Sequence, residues 1–165
     1  MATKPVMNVE DVEPISFGNG GRFEGKFRWV SREIGAQKLG YNYVVLAPGK
    51  TAFPYHYHRG NEEAFFIIEG TGLLRHGDKE YPLRTGDAIA CPAGSGSAHQ
   101  ITNDSDAELK YLAFSTKQSP EVAHYPDSNK IGILDDPDPD AEPGSPPFRL
   151  IMMEDAGVDY WEGED

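Results

Sequence analysis

Two histidines and two glutamates stand close together in the stretch PYHYHRGNEEAFFIIEG, residues 54–70. Alternate side chains of an extended strand share a face, so His56 and His58 point the same way. Glu62 and Glu63 follow a short turn and lead directly into an apolar run. Imidazole nitrogens and a carboxylate on one face form a ligand set for a divalent transition metal. A bound cation would also offset the cost of placing such polar groups beside a core.

The alternation of side chains does not distinguish the two glutamates. Glu63 shares its face with Phe65, whereas Glu62 shares the other face with Phe66, so both faces are apolar. A further histidine, His99, follows a turn-rich and glycine-rich stretch and precedes another apolar run. Exposed strand-end residues are the alternative interpretation of His-x-His alone, and the metal site is at this point a hypothesis.

The elements that must position these residues are short strands. From Phe27 to about residue 118, segments rich in Tyr, Phe, Val and Ile alternate with turn residues such as PGK, GDK, TGD and NDSD. This pattern predicts an antiparallel sandwich or barrel. The mild helical candidate lies around Arg32 to Lys38, and residues 1–26 are predicted to form an irregular arm.

The character of the chain changes after Ser119. Residues 135–147 are rich in proline and acidic residues, which excludes them from a core element. The segment FRLIMM that follows is strand-like. Tyr160 and Trp161 near the end predict a tail that docks on the barrel. We therefore expect one domain overall, with a barrel over residues 27–118 and an extension over residues 119–165 packed on it.

Two segments of the chain resemble the signature motifs of the cupin superfamily. The first motif has the order glycine, H-x-H, glutamate, glycine, and it matches Gly49, His56, His58, Glu63 and Gly70. Its spacing selects Glu63 over Glu62. The second motif matches Gly86, Pro92, Gly94, His99 and Asn103. Two departures from the usual spacing, before His56 and between Gly94 and His99, both fall in loops and leave the ligand types intact.

The resemblance implies an all-β, antiparallel double-stranded β-helix, also called a jelly roll or cupin barrel. It implies one divalent transition metal, Fe, Mn, Ni or Zn, held by His56, His58, Glu63 and His99. The whole chain also resembles a group of small bacterial cupins that are often labelled sugar-phosphate isomerases. Fold and metal are therefore better indicated than the reaction.

Three functions are compatible with such a site. The first is an isomerase or epimerase of a sugar or sugar phosphate, in which the metal stabilises an enediolate and Glu63 or Tyr43 moves the proton. The second is an Fe(II)-dependent dioxygenase that uses the open metal positions. The third is a non-catalytic protein that binds a metal and a small ligand. Each of the three has a small molecule as its partner.

Charge and cysteine content exclude other classes. The formal net charge is −12, and 12 acidic residues against two basic ones lie between Asp127 and the end. The sequence lacks the clustered Lys and Arg that binding to nucleic acid or to an anionic membrane requires. Cys91 is the single cysteine and the N-terminus has no apolar leader, so we expect a cytoplasmic protein.

Assembly and the remaining polar candidates complete the expectations. Barrels of this kind leave strand edges, and a symmetric homodimer, contacted through the N-terminal arm, would cover them. His76 is predicted to be a solvated turn residue, His124 a structural residue and Cys91 a buried free thiol. The loop Ser95–Ser97 and the side chain of Arg59 are alternatives for binding an anionic group, with a plain connecting loop and solvent exposure as the simpler interpretations.

Overall fold

The apolar segments of the sequence form antiparallel strands in a computed structural model, which describes residues 5–136 and 146–164. Branched and aromatic side chains favour these extended segments. The strands are β1 (Ile15–Gly18), β2 (Glu24–Arg28), β3 (Leu39–Leu46), β4 (Tyr57–His58), β5 (Glu63–Glu69), β6 (Thr71–His76), β7 (Lys79–Arg84), β8 (Ala88–Cys91), β9 (His99–Thr102), β10 (Leu109–Thr116), β11 (Glu121–Tyr125), β12 (Lys130–Asp135) and β13 (Phe148–Met153).

The helical content of the described residues is small. One short helix, α1 (Val30–Glu33), lies between β2 and β3. It begins and ends earlier than the helix expected around Arg32 to Lys38. Single turns of 3-10 helix cover Val9–Asp11, Ser95–Ser97 and Pro126–Ser128.

Two layers of antiparallel sheet face each other. One layer has six strands in the order β1-β2-β3-β10-β5-β8. The other layer consists of a three-stranded sheet, β7-β6-β9, and a four-stranded sheet, β13-β12-β11-β4. Isolated bridges at Thr51–Thr102 and His56–His99 connect the segment before β4 to β9 and so join these two sheets. The arrangement confirms the predicted all-β, antiparallel jelly-roll barrel.

The core lies between the layers, and the alternation of each strand explains its composition. Phe65 and Ile67 of β5 are 8% and 0% exposed, whereas Phe66 between them is 43% exposed. Val44 and Leu46 of β3 are fully buried on the same inner side. Burying such side chains contributes roughly 1.5–3 kcal/mol each, which stabilises the frame around the polar site.

The N-terminal segment is more regular than the sequence predicted. β1 pairs with β2 from Ile15–Phe27 to Gly18–Glu24, so the six-stranded sheet begins before residue 27. Arg28 donates to the carbonyl oxygens of Val9, Glu10 and Val12 and ties the preceding residues to the sheet. This segment is therefore an integral part of the fold rather than an irregular arm.

The C-terminal extension forms a sheet but leaves its last residues exposed. FRLIMM forms β13 and pairs with β12 along its whole length, as its composition predicted. Tyr160 and Trp161 contact each other and are 81% and 71% exposed, so they do not dock on the barrel as expected. Much of the acidic segment 135–147 lies outside the described residues. No helix in the described part of the chain is long and apolar enough to cross a membrane.

Candidate metal centre

His56 and His99 face each other across an antiparallel bridge. The backbone amide of each donates to the carbonyl oxygen of the other, at 3.2 Å from His56 and 2.8 Å from His99. Their ring centroids are 4.7 Å apart. His58, two residues along the same strand direction, places its ring 5.1 Å from that of His56. The backbone pairing therefore brings the three histidines together without further adjustment of the loops.

Glu63 reaches the histidines from the opposite layer. Its Oε2 atom lies 3.7 Å from Nε2 of His56, 3.3 Å from Nε2 of His58 and 3.1 Å from Nε2 of His99. Ligand atoms of His56, His58 and Glu63 all lie within 4.8 Å of one another. Glu62 is exposed on the other side of β5, and its backbone amide donates to Thr116. The structure thus places Glu63, and not Glu62, among the three imidazoles.

Hydrogen bonds behind the rings fix which nitrogen faces Glu63. Nδ1 of His56 lies 2.8 Å from the carbonyl oxygen of Pro54, and Nδ1 of His99 lies 2.9 Å from that of Ser97. A carbonyl oxygen can only accept, so each Nδ1 carries a hydrogen. In the neutral ring Nε2 then has a free lone pair. That lone pair is the form of imidazole that binds a metal.

A buried carboxylate, Glu121 of β11, takes the corresponding place behind His58. Its Oε1 atom lies 3.5 Å from Nδ1 of His58, and the side chain is 5% exposed. Backbone amides of Arg59, Gly60 and Asn61 donate to the same carboxylate. These bonds compensate for its burial and hold the turn between β4 and β5. The sequence analysis did not identify Glu121, since nothing local in ‑SPEVAH‑ indicates a contact with residue 58.

The charges of the site are strongly coupled. Burial acts to raise the pKa of Glu63, but the close contacts with His56, His58 and His99 outweigh it and hold that pKa well below its usual range. Burial lowers the pKa of His99, but contacts with Cys91 and Glu63 outweigh it and raise the value to about 9. Burial likewise lowers the pKa of His58, and Glu63 more than compensates. The site therefore favours an ionised carboxylate beside positive charge.

The residues of the site fit a divalent metal. Oε2 of Glu63 and Nε2 of His99 are buried and have no hydrogen bond of normal geometry among the described residues. Buried polar atoms without partners are rare and costly, and a cation between them would satisfy both. Three imidazoles and one carboxylate suit Fe, Mn, Ni or Zn better than the oxygen-preferring Mg²⁺ or Ca²⁺.

A cavity of about 590 Å³ opens onto this cluster from between the two layers. Tyr125, at the end of β11, lines it, and its ring stacks 6.0 Å from that of His56. Tyr43 does not line it. Val44 and Asn42 of β3 face the cavity, so Tyr43 points to the other face, where it lies near Arg28 and Lys110. This corrects the expectation that Tyr43 acts in the site.

The other polar candidates do not join the four candidate ligands, although Cys91 contacts His99. His124 stacks on Tyr57 at 4.8 Å and accepts from Arg59, which is consistent with a structural role. Cys91 is a buried free thiol. Ser97 donates to the carbonyl oxygens of Pro92 and Gly94, so the loop that contains it is held by its own bonds. His76 is half-buried rather than solvated.

Comparisons with known proteins agree with this geometry. Residues 42–115 match the Cupin domain family. The chain is 29% identical over 114 residues to the oxalate-binding protein of Thermotoga maritima. The match covers 67% of this chain and 93% of that protein. A sugar phosphate isomerase from a cupin superfamily in Silicibacter pomeroyi is similar in structure, with a TM-score of 0.78 and 25% identity over 92% of this chain and 94% of that one. A protein of Acidithiobacillus ferrooxidans shares the fold with a TM-score of 0.79 and 22% identity over 94% of this chain and 96% of that one.

Proposed function

Because residues 42–115 match the Cupin domain family, we propose that the chain is a metal-dependent isomerase or epimerase of a small oxygen-bearing molecule. His56, His58, Glu63 and His99 hold one divalent transition metal. The observation that carries the proposal is the convergence of three Nε2 atoms on one carboxylate oxygen. Carbonyl oxygens accept from Nδ1 of His56 and of His99, and Glu121 lies 3.5 Å from Nδ1 of His58. The similarity to a sugar phosphate isomerase supports the reaction class.

A metal bound here supplies Lewis acidity, which stabilises negative charge on a substrate oxygen. The cavity admits such a substrate directly to the ligand residues, since His56, His58, Glu63 and His99 all line it. Its apolar walls exclude water, which strengthens the interaction between charges inside.

Two groups of this chain are placed to move protons. Glu63 is the one carboxylate among the described residues that line the cavity, and its lowered pKa keeps it ionised near neutral pH. Its position among the candidate ligands makes it the candidate base for a proton on carbon, while its lowered pKa limits its strength as a base. Burial raises the pKa of Tyr125, with a further contribution from Glu63, so its phenol stays protonated and donates to a substrate oxygen. Tyr125, and not Tyr43, is thus the tyrosine that lines the cavity beside His56.

Hydrogen–deuterium exchange tests this proposal. The protein is loaded separately with Mn²⁺, Ni²⁺, Zn²⁺ and anaerobic Fe²⁺ and incubated in D₂O with ribose, ribose 5-phosphate or mandelate. We expect deuterium at the carbon beside the carbonyl or carboxylate of at least one probe, measured by NMR. Tyr125→Phe should slow the exchange by roughly 10²-fold. Tyr43→Phe, the same change on the outer face, should leave it unchanged.

Two results would contradict the isomerase. Oxygen consumption by the Fe²⁺ form without proton exchange in any form would instead favour the dioxygenase. Binding of metal and probe with neither reaction would favour a non-catalytic binding protein.

A further inference from the structure

Aromatic rings surround the four candidate ligands on several sides. The ring of Phe53 lies 6.1 Å from that of His56, and the ring of Phe65 lies 5.4 Å from that of His99. Tyr125 stacks on the remaining face of His56 with an interplanar angle of 23°. A molecule that reaches the ligands therefore contacts flat apolar surfaces before it meets further polar groups.

These rings continue as a wall from the ligands to the mouth of the cavity. Phe53 contacts Phe27 at 5.3 Å and Phe17 at 5.9 Å between ring centroids. Phe27 in turn stacks on Trp29 at 6.1 Å. Phe27 is buried, whereas Phe17 is half exposed at the outer end. We call Phe17, Phe27, Trp29 and Phe53 the aromatic wall.

Outside the candidate metal centre, positive charge in the cavity is sparse. Lys130 is the one basic side chain among the described residues that line it. Arg75, on the outside of the barrel, is paired with Asp127 by two hydrogen bonds. A phosphoryl group is usually bound by several Arg, Lys or backbone N–H donors, and such a group of donors does not line this cavity within the described residues.

The size of the cavity also separates classes of ligand. About 590 Å³ falls within the range of roughly 300–1,000 Å³ that pockets for drug-sized molecules occupy. A dianion of two carbons would fill a small part of this volume and leave the aromatic wall without a contact. An apolar ring would occupy more of it and remove part of that wall from water, which is favourable in proportion to the area covered.

We propose that the natural ligand of this cavity has a flat apolar body that packs on the aromatic wall and one small oxygen-bearing group directed at His56, His58, Glu63 and His99. An arene that carries adjacent oxygen donors is the chemical class that fits. Sugar phosphates do not fit this lining. This inference rests on the proposed metal site and names the substrate class for it.

Mandelate and lactate isolate the contribution of the ring. Both are 2-hydroxy acids with the same metal-binding group, and mandelate carries a phenyl ring where lactate carries a methyl group. In calorimetric titrations of the zinc-loaded protein, mandelate should bind at least about 10-fold more tightly than lactate, because the ring buries apolar area. Ribose 5-phosphate should bind more weakly than mandelate. Equal affinities for the two acids within about twofold, or tighter binding of ribose 5-phosphate, would overturn the proposal.

A pair of matched variants locates the contact. Phe17→Ser removes the outer ring of the wall, and Phe66→Ser makes the same change on the outer face of β5, at a similar exposure. The preference for mandelate over lactate should fall severalfold in the first variant and stay unchanged in the second. An equal preference in both variants and the wild type would contradict packing on the wall. Zinc binding is measured first. A wild-type protein that does not bind zinc would contradict the metal site, whereas zinc binding without a preference for mandelate would contradict only the proposed ligand class.

Discussion

At the scale of single residues, the site depends on what stands behind each imidazole. Pro54 and Ser97 contribute carbonyl oxygens, and Glu121 contributes a carboxylate, so all three rings present Nε2 to Glu63. Such partners fix the ring orientation and raise the basicity of a ligand. The orientation of the rings is thus fixed in the metal-free protein.

Alanine substitutions at the four ligands test this arrangement. His56→Ala, His58→Ala, Glu63→Ala and His99→Ala should each weaken metal binding by at least about 100-fold, since each removes a direct donor. Glu62→Ala is the control, because Glu62 is exposed on the opposite side of β5. The metal content of purified protein and a competition titration with a chelator measure the effect. A normal metal content in Glu63→Ala together with a loss in Glu62→Ala would show that the register of β5 is different.

Metal affinity should increase with pH. Contacts with Cys91 and Glu63 outweigh burial and raise the pKa of His99 to about 9, so the metal-free site holds a proton at neutral pH. The pKa of His99 is higher in the folded protein than its unfolded value of 6.5, so protonation of His99 favours the folded state. This stabilisation is fully present below pH 6.5 and is lost as the pH rises through about 9. The metal-free protein should therefore lose thermal stability over this window.

Over the same window Mn²⁺ affinity should rise by up to ~10-fold per pH unit for each proton displaced. Thermal melts of the metal-free protein and Mn²⁺ titrations at several pH values measure the two trends. A Mn²⁺ affinity that does not change between pH 6.5 and 9 would contradict competition by the proton on His99.

The sequence predicted the four candidate ligands more completely than the residues around them. His56, His58, Glu63 and His99 occupy the spacing of two motifs, and the structure brings these four together. The tyrosine that faces the cavity was harder to predict. Both faces of β3 carry apolar residues, so the alternation of side chains along the strand did not indicate that Tyr43 points outward. Tyr125 belongs to a strand that the sequence did not pair with β4, and contacts at that distance along the chain have no local signal.

At the scale of secondary structure, β11 connects the C-terminal extension to the candidate metal centre. β11 pairs with β4 at Ala123–His58 and His124–Tyr57. One end of β11 carries Glu121 and the other carries Tyr125, so a single strand supports His58 from behind and lines the cavity. The matched family region ends at residue 115, and the extension adds these two groups to it.

Glu121→Gln tests this support. The change keeps the shape of the side chain but removes the charge that faces Nδ1 of His58. Metal binding should weaken by ~10- to 100-fold, and stability should fall by about 1–3 kcal/mol because three backbone amides lose part of their acceptor. Calorimetric metal titration and thermal melts measure both effects. Glu154→Gln is the control, since Glu154 lies 3.5 Å from the non-ligand His124 in the same extension. Equal metal affinity in the two variants would contradict a positioning role for Glu121.

Sequence patterns predicted some of the strands and missed others. Apolar segments with clear turn residues on both sides, such as those of β5 and β10, form strands as the sequence predicted. β1 was not predicted, because its four residues are all exposed and show no alternation. Its pairing with β2 is fixed by backbone hydrogen bonds and by the contacts of Arg28, which depend on the fold as a whole.

At the scale of the whole molecule, the outer strand of the four-stranded sheet carries exposed apolar side chains. β13 is the outer strand, and Phe148, Ile151 and Met153 on it are 55%, 53% and 44% exposed. An apolar edge strand with unpaired backbone groups is a template for pairing with a second chain. The N-terminal segment is a less suitable contact than the sequence suggested, since Val12 is buried within its own chain.

We expect a symmetric homodimer in which β13 pairs with its copy. A twofold axis makes such a contact self-complementary and covers the exposed apolar side chains of both subunits. Acidic residues precede and follow β13, so the two chains repel each other near the contact. Salt screens exposed charges within about 10 Å at 0.1 M, and dimerisation should therefore strengthen as the salt concentration rises.

Sedimentation at micromolar concentration and several salt concentrations measures this equilibrium. The double variant Phe148→Glu with Met153→Glu should shift the protein toward monomer, because it places four new charges in the contact of the two subunits. The double variant Val158→Glu with Tyr160→Glu adds the same charge at positions that are 76% and 81% exposed and lie outside β13, and it should remain dimeric. A wild type that sediments as a monomer would contradict pairing through β13. Equal dissociation of both double variants would also contradict it, because the effect would then follow net charge rather than the strand edge.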